Sequence, residues 1–426
     1  MSIASHHAET PAADASRLLI RLGLAILMVG LPILTVALRG AIYVLMPIGA
    51  IVVLIGAAIG APDHGPRHLR TALASPGGLA ALFLTLWAAM SMLWTPFPGE
   101  AGQRFAQIVG TTLLVALVAA YLPARTRPLD LYLLPVGVAL GALAVLVFAF
   151  RAHLPFGRAQ PFDNQLFERS MITLIVLVWP ALGALCLRER WIYAAILAVL
   201  AAGVALAGFA QAGLAAMGAA AFVFAMAMSQ PVRLAHRLGL AVAALILFAP
   251  VLALGLGALI GMTLQHPNAA AQSILVWRDI ILAEWPRLVT GHGFDAANRT
   301  AALGYLPEQT PGSLLFIIWY DLGIIGAAGF AFLTAQIFLL TAKIPAAVAP
   351  SVLAGLTAIF VMAALGAAAA QIWWITLIDC AVIAYIVLIK GIYRSQRPAA
   401  PGAQEATDLD GADFDDDIAA ASAREA

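Results

Sequence analysis

Along most of this chain, apolar residues run unbroken for the length of a membrane crossing, and polar residues gather in short clusters between the runs. A helix needs roughly 20 mostly apolar residues to cross about 30 Å of hydrocarbon. The first such stretch, 18–61, is broken only at Arg39-Gly40 and predicts two helices in a hairpin. Further spans are predicted at 78–95, 103–122, 130–150, 169–187, 191–209, 211–228, 237–261, 312–342, 349–369 and 371–389. The fold class that follows is all-α, a polytopic membrane protein of about twelve transmembrane helices. Arg17 and Arg21 ahead of an apolar run look like the start of a signal peptide. That run is too long for one and has no small-residue cleavage site.

Charge orients the spans. An even number of crossings puts both termini on one side, and cytoplasmic loops are enriched in Lys and Arg. With the termini inside, fifteen of the 23 Lys and Arg fall on the inner side, and every short inner loop holds at least one. Of the other eight, six lie in two outward loops, 151–169 and 262–311. This arrangement predicts a bacterial inner-membrane protein with its large 262–311 loop in the periplasm. Residues 1–16 read as a disordered cytoplasmic leader and 17–395 as the transmembrane domain. The segment 396–426 carries Asp408, Asp410, Asp413, Asp415, Asp416 and Asp417 among Ala and Gly, and reads as a solvated, disordered tail.

Composition excludes a soluble enzyme. Hydrophobic residues make up 63% of the chain and charged ones 11%, where soluble domains have about a quarter charged. Cys186 and Cys380 both lie in apolar runs and suggest neither a disulfide framework nor a metal site. No P-loop or dinucleotide fingerprint is present, and neither a cofactor nor a nucleic acid is expected as a partner.

The polar chemistry concentrates in 272–329. Residues 273–285 place Ile274, Val276, Trp277, Ile280, Ile281 and Trp285 at helical spacing. They predict an amphipathic helix on the membrane surface, with Arg278, Asp279 and Glu284 toward water. Gly291-His292-Gly293 follows as a tight turn, then Asp295, Asn298 and Arg299, with Pro307 and Pro311 before the return to the membrane. A guanidinium binds phosphate oxygens bidentately and keeps its charge, which makes Arg278, Arg299, Arg158 and Arg169 candidates for a pyrophosphate. Histidine is the side-chain type suited to act as general base on a hydroxyl, which makes His292 a candidate. Each has a plainer alternative: an interfacial anchor for Arg278, a turn residue for His292, and an ion pair with Glu168 for Arg169. Asp321 and Asp379 lie inside spans, where carboxylates are expensive and mark functional sites by default. Asp321 could instead bond a neighbour near a helix end, and Asp379 could be a packing residue.

Four stretches carry a family resemblance. SMLWTPFPGEAGQRFAQIVGTTLL (91–114) is similar to a Ser-x-x-Trp-Ser-x-x-Pro stretch at the end of an early span, and FERSMITLIVLVWPALGAL (167–185) to a Phe-Asn-Arg entry to a middle span. Residues 277–293 are similar to a Trp…Pro-x-Gly-x-Gly run, and LLFIIWYDLGIIGAAGF (314–330) to a Glu-Leu-Gly-x-x-Gly segment. In this order, over about residues 80 to 340, they resemble the O-antigen ligase family, which includes O-antigen polymerases. The resemblance implies metal-independent transfer of a glycan from undecaprenyl pyrophosphate to lipid A core or another glycan acceptor, among membrane lipids. It matches Arg169 to the family's middle-span Arg and Asp321 to its Glu. It departs where the family has a His-Asn pair and a loop Arg, because Gly312, Ser313 and Ser273 stand at those positions. The cast expected is therefore His292, Arg278 and Asp321 in catalysis, with Arg169, Arg299 and Arg158 on the pyrophosphate. A polymerase, and a non-catalytic transporter or scaffold of polysaccharide assembly, are the alternatives.

Overall fold

The computed structural model describes residues 11–60, 65–123, 130–150, 164–207, 211–366 and 371–391. Every regular element among the described residues is helical. Hydrocarbon imposes this, since outside a closed barrel only a helix satisfies its backbone within one segment. In order they are α1 (Pro11–Leu34), α2 (Ala41–Gly60), α3 (Gly65–Leu73), α4 (Pro76–Ser91), α5 (Pro98–Tyr121) and α6 (Asp130–Phe150). Next come α7 (Asn164–Leu187), α8 (Trp191–Ala207), α9 (Gln211–Ser229) and α10 (Pro231–Thr263). Three short helices follow, α11 (Ala269–Ala283), α12 (Arg287–Thr290) and α13 (Ala296–Ala302), then α14 (Leu314–Thr341), α15 (Ala349–Ala364) and α16 (Ile372–Gly391).

Among the described residues nine helices are long and apolar enough to cross a membrane, and α3 with α4, bent by 76°, makes a tenth if counted as one span. This is the architecture of a multi-pass membrane protein. The apolar helices α8 and α15 are shorter, at 17 and 16 residues. Three details differ from expectation. The first helix begins at Pro11, inside the stretch expected to be disordered, and Asp14 in its first turn lies 3.6 Å from Arg17. Helix α10 begins at Pro231 rather than 237, with the proline in the first turn, where its missing N–H costs nothing. Helix α3 was not foreseen, because GPRHLRTAL is too short and too polar to register as a span. Arg158 and the acidic tail lie outside the described residues.

Small residues set the packing. A Cβ on Gly23 of α1 would lie 2.6 Å from the Gly49 carbonyl oxygen of α2, and one on Gly56 would lie 2.9 Å from Ile20 N, so these two backbones touch. The Ser16 hydroxyl donates to the Gly56 carbonyl at 2.6 Å and ties the same pair. The centre of the bundle is α7, with 89% of its apolar window buried against 17% for α5. A second core joins α10 to α14 through Ile246, Trp319 and Phe338.

The ends of the bundle can be told apart. Lys390, near the close of α16, donates to the carbonyls of Ala119 and Leu122 at the close of α5 (3.0 and 2.6 Å). The two helices therefore run the same way, and their starts share the opposite end. That end carries the functional candidates.

Candidate functional site

The site is built on a broken helix. Within α14, Gly323 adopts φ 63°, ψ −163°, which interrupts the hydrogen-bond ladder. The carbonyls just before the break accept from outside the helix instead. Tyr320 O takes His292 N (2.8 Å), Asp321 O takes Gly293 N (2.9 Å), and Leu322 O takes the Trp87 indole N–H of α4 (3.0 Å). Glycine is required on both sides of the junction. A Cβ on Gly323 would fall 2.4 Å from Val289 O, and one on Gly291 (φ 73°) would fall 2.2 Å from Asp321 O.

The loop residues that follow are pinned by two buried carboxylates. Asp321 accepts from the backbone N–H of Asp295 (3.1 Å) and of Ala297 (2.7 Å), and so closes the first turn of α13. Asp295, itself left-handed at φ 63°, accepts from Arg104 Nη1 of α5 (2.8 Å), Arg299 Nε (3.1 Å) and Asn298 Nδ2 (3.0 Å). Its carboxylate has no exposed surface and the Arg104 side chain is 11% exposed. Phe294 between them is held by the end of α4, its N–H on Ser91 Oγ and its carbonyl on Thr95 Oγ1, both at 3.1 Å. Its ring meets Phe105 edge-on at 5.9 Å.

His292 sits at the outer edge of this assembly. Its Nδ1 faces Tyr320 O at 3.1 Å and its Nε2 faces Glu284 Oε2 at 2.5 Å. The ring stacks on Tyr320 at 3.9 Å, and Phe316 and Trp277 continue the aromatic row. Both ring nitrogens are engaged, and the open group of the pair is Glu284, 52% exposed. Trp277, Glu284, Arg287, His292 and Tyr320 border a cavity of about 20 Å³, room for one water.

The remaining predicted residues separate. Arg278 does not turn to water. Its stem lies on Gly257 of α10, Nη1 donates to the Gly257 carbonyl (3.0 Å), and Nε and Nη2 donate to Asp279 (2.9 and 2.7 Å). The helix expected to lie on the membrane is thus packed against α10, whose 33 residues extend about 50 Å, well beyond the hydrocarbon. Arg169 forms a second cluster at the same end of the bundle, donating to Arg39 O (3.2 Å) and Gln371 Oε1 (3.3 Å), with its guanidinium over Trp373. Its bonds go there rather than to Glu168. Asp321 binds amides, and the carboxylate that orients cations is Asp295. Gly312 and Ser313 carry no acid–base group, Ser313 serving as the N-cap of α14 with Oγ accepting from Phe316 N at 3.3 Å. Asp379 is buried in α16, with one carboxylate oxygen unpartnered.

Sequence reasoning missed Arg104, Asp295, Glu284 and Arg287 as site residues. One signal existed for Arg104, a lone cation entering a span inside the first family-like stretch. Among the described residues no group of three His, Cys, Asp or Glu side chains could hold a metal ion. Chemically, the arrangement offers an exposed carboxylate backed by an imidazole, beside the exposed Arg287 and the 40% exposed Arg299. Compared with family models, curated proteins and solved structures, the chain matches none.

Proposed function

We propose that this chain is a glycan transferase of the O-antigen ligase type. It would pass a glycan from undecaprenyl pyrophosphate to lipid A core or another glycan at the periplasmic face of a bacterial inner membrane, with twelve crossings and both termini cytoplasmic. One observation supports this reading most. Three of the four family-like stretches meet at a single end of the bundle: Gly293 N–H of the third donates to Asp321 O of the fourth (2.9 Å), and a Cβ on Gly293 would lie 2.6 Å from Thr95 Cα of the first.

In this reading the acceptor hydroxyl gives its proton to Glu284, whose charge His292 supports from behind. The acceptor oxygen bonds to the sugar C1 as the bond from C1 to the phosphate oxygen breaks, and the pyrophosphate leaves with the electron pair. Arg287 and Arg299 offset its charge. Arg104, Asp295 and Asp321 hold the loop in place, and Arg278 seats α11 on α10.

The test is transfer by the purified protein in vesicles, from an undecaprenyl-pyrophosphate glycan to lipid A core or a glycan acceptor. Turnover is expected, with Glu284→Gln slower by about 10²-fold or more and a smaller loss for Arg287→Ala. Absence of turnover from folded protein sinks the enzyme reading. It would leave the scaffold reading, which one observation favours: Arg104, Arg278 and Arg299 are each already paired with a carboxylate.

A further inference from the structure

At the end of the bundle opposite the site, the turn from α7 to α8 reads Arg188-Glu189-Arg190. Glu189 takes φ 56°, and Arg190 N closes back onto Leu185 O at 3.0 Å. This is a helix-ending geometry that ordinarily calls for glycine, and backbone strain of this kind collects where a fold has a use for it. Arg188 and Arg190 flank the strained residue in sequence. Arg188 buries its Nε with no partner, and neither guanidinium meets a carboxylate among the described residues.

Beneath the turn lies a groove of about 430 Å³ between α6, α7 and α8. Arg190, Tyr132 and Tyr193 border it, and Val136, Ile196 and Leu197 give it an apolar wall. A second apolar groove of about 530 Å³ flanks the other face of α8, beside Cys186 and Trp191. The 17 residues of α8 rise only about 26 Å, less than the hydrocarbon thickness. This short helix is flanked by a groove on each face, and the first is bordered at the turn by a cation and by the phenol of Tyr193.

We infer that the groove between α6 and α8 binds an anionic phospholipid, its phosphate at the Arg188–Arg190 turn where Arg190 borders the groove, and an acyl chain along Val136 and Ile196. Charge complementarity selects this occupant: two arginines in one turn, neither in an ion pair among the described residues, favour an anionic headgroup over a zwitterionic one. The inference rests on the membrane-spanning architecture and is independent of glycan transfer.

The test is native mass spectrometry of the full chain released from vesicles of equal phosphatidylglycerol and phosphatidylethanolamine. The wild type is expected to retain phosphatidylglycerol preferentially. The Arg188→Gln/Arg190→Gln variant should retain at least fivefold less, while Arg233→Gln, an exposed cation elsewhere, retains it all. Ile196→Trp, which fills the groove and keeps both arginines, should also lose the lipid, so a misfolded arginine variant does not leave the matter open. Equal retention of the two lipids by the wild type, undiminished retention by the double variant or by Ile196→Trp, or displacement by excess inorganic phosphate would each overturn the inference.

Discussion

Asp295 and Asp321 look alike in a list of acids, yet their surroundings give them opposite tasks. Asp321 faces only backbone N–H groups, while Asp295 joins two guanidinium groups and an amide from fully buried space. Removing a partner from a buried ion pair leaves an uncompensated charge and costs about 3–5 kcal/mol. Asp295→Ala is therefore expected to destabilise by that order, read as lowered unfolding free energy in detergent. Arg104→Gln combined with Asp295→Asn should cost less than the two single changes together, because neither partner is then stranded. Additive losses would show that the pair does not interact. Asp321 was legible in the sequence because a carboxylate inside an apolar run stands out. Asp295 was not: in a polar loop nothing separates it from the exposed Asp279, and only the arrival of Arg104 from another helix makes it a clamp.

At the scale of elements, the turn at 291–293 could be read from its glycines, but the reason for them could not. They are there because α14 breaks at Gly323 and the loop lies against the break, an approach that exists only in three dimensions. Gly323→Ala meets both constraints at once. The backbone at φ 63° and ψ −163° is essentially reserved to glycine and costs another residue about 1–3 kcal/mol, and the added carbon would sit 2.4 Å from Val289 O. A lowered melting temperature is expected, with faster hydrogen exchange at His292 and Gly293. Gly77→Ala should be neutral, since its added carbon meets only Gln336 Cβ at 3.8 Å. The same logic applies where α11 rests on α10. A Cβ on Gly257 would lie 2.9 Å from Arg278 Cδ. Gly257→Leu should cost about 1–3 kcal/mol by overpacking and expose the 264–268 link to protease. If that link stays resistant, the contact does not hold α11 in place. The amphipathic spacing of α11 was plain from sequence, whereas its partner was not, because small residues on α10 announce a close approach without naming what approaches.

For the molecule as a whole, the positions of the apolar helices followed from run length alone, and their arrangement did not. Helix α2 is at least as apolar as α7, yet 39% of its window is buried against 89%. Lipid tails and neighbouring helices are equally apolar, so hydropathy cannot tell a central helix from a peripheral one. Sidedness, by contrast, rests on charge, and the function proposed above depends on it. In a Cys186→Ala/Cys380→Ala background, single cysteines at the exposed positions Glu308 and Lys343 report on the two ends of α14. An impermeant maleimide applied to intact spheroplasts is expected to label Glu308→Cys at once, and Lys343→Cys only after permeabilisation. The reverse pattern would put Glu284 and His292 in the cytoplasm, away from a glycan displayed in the periplasm, and glycan transfer there would have no acceptor to act on.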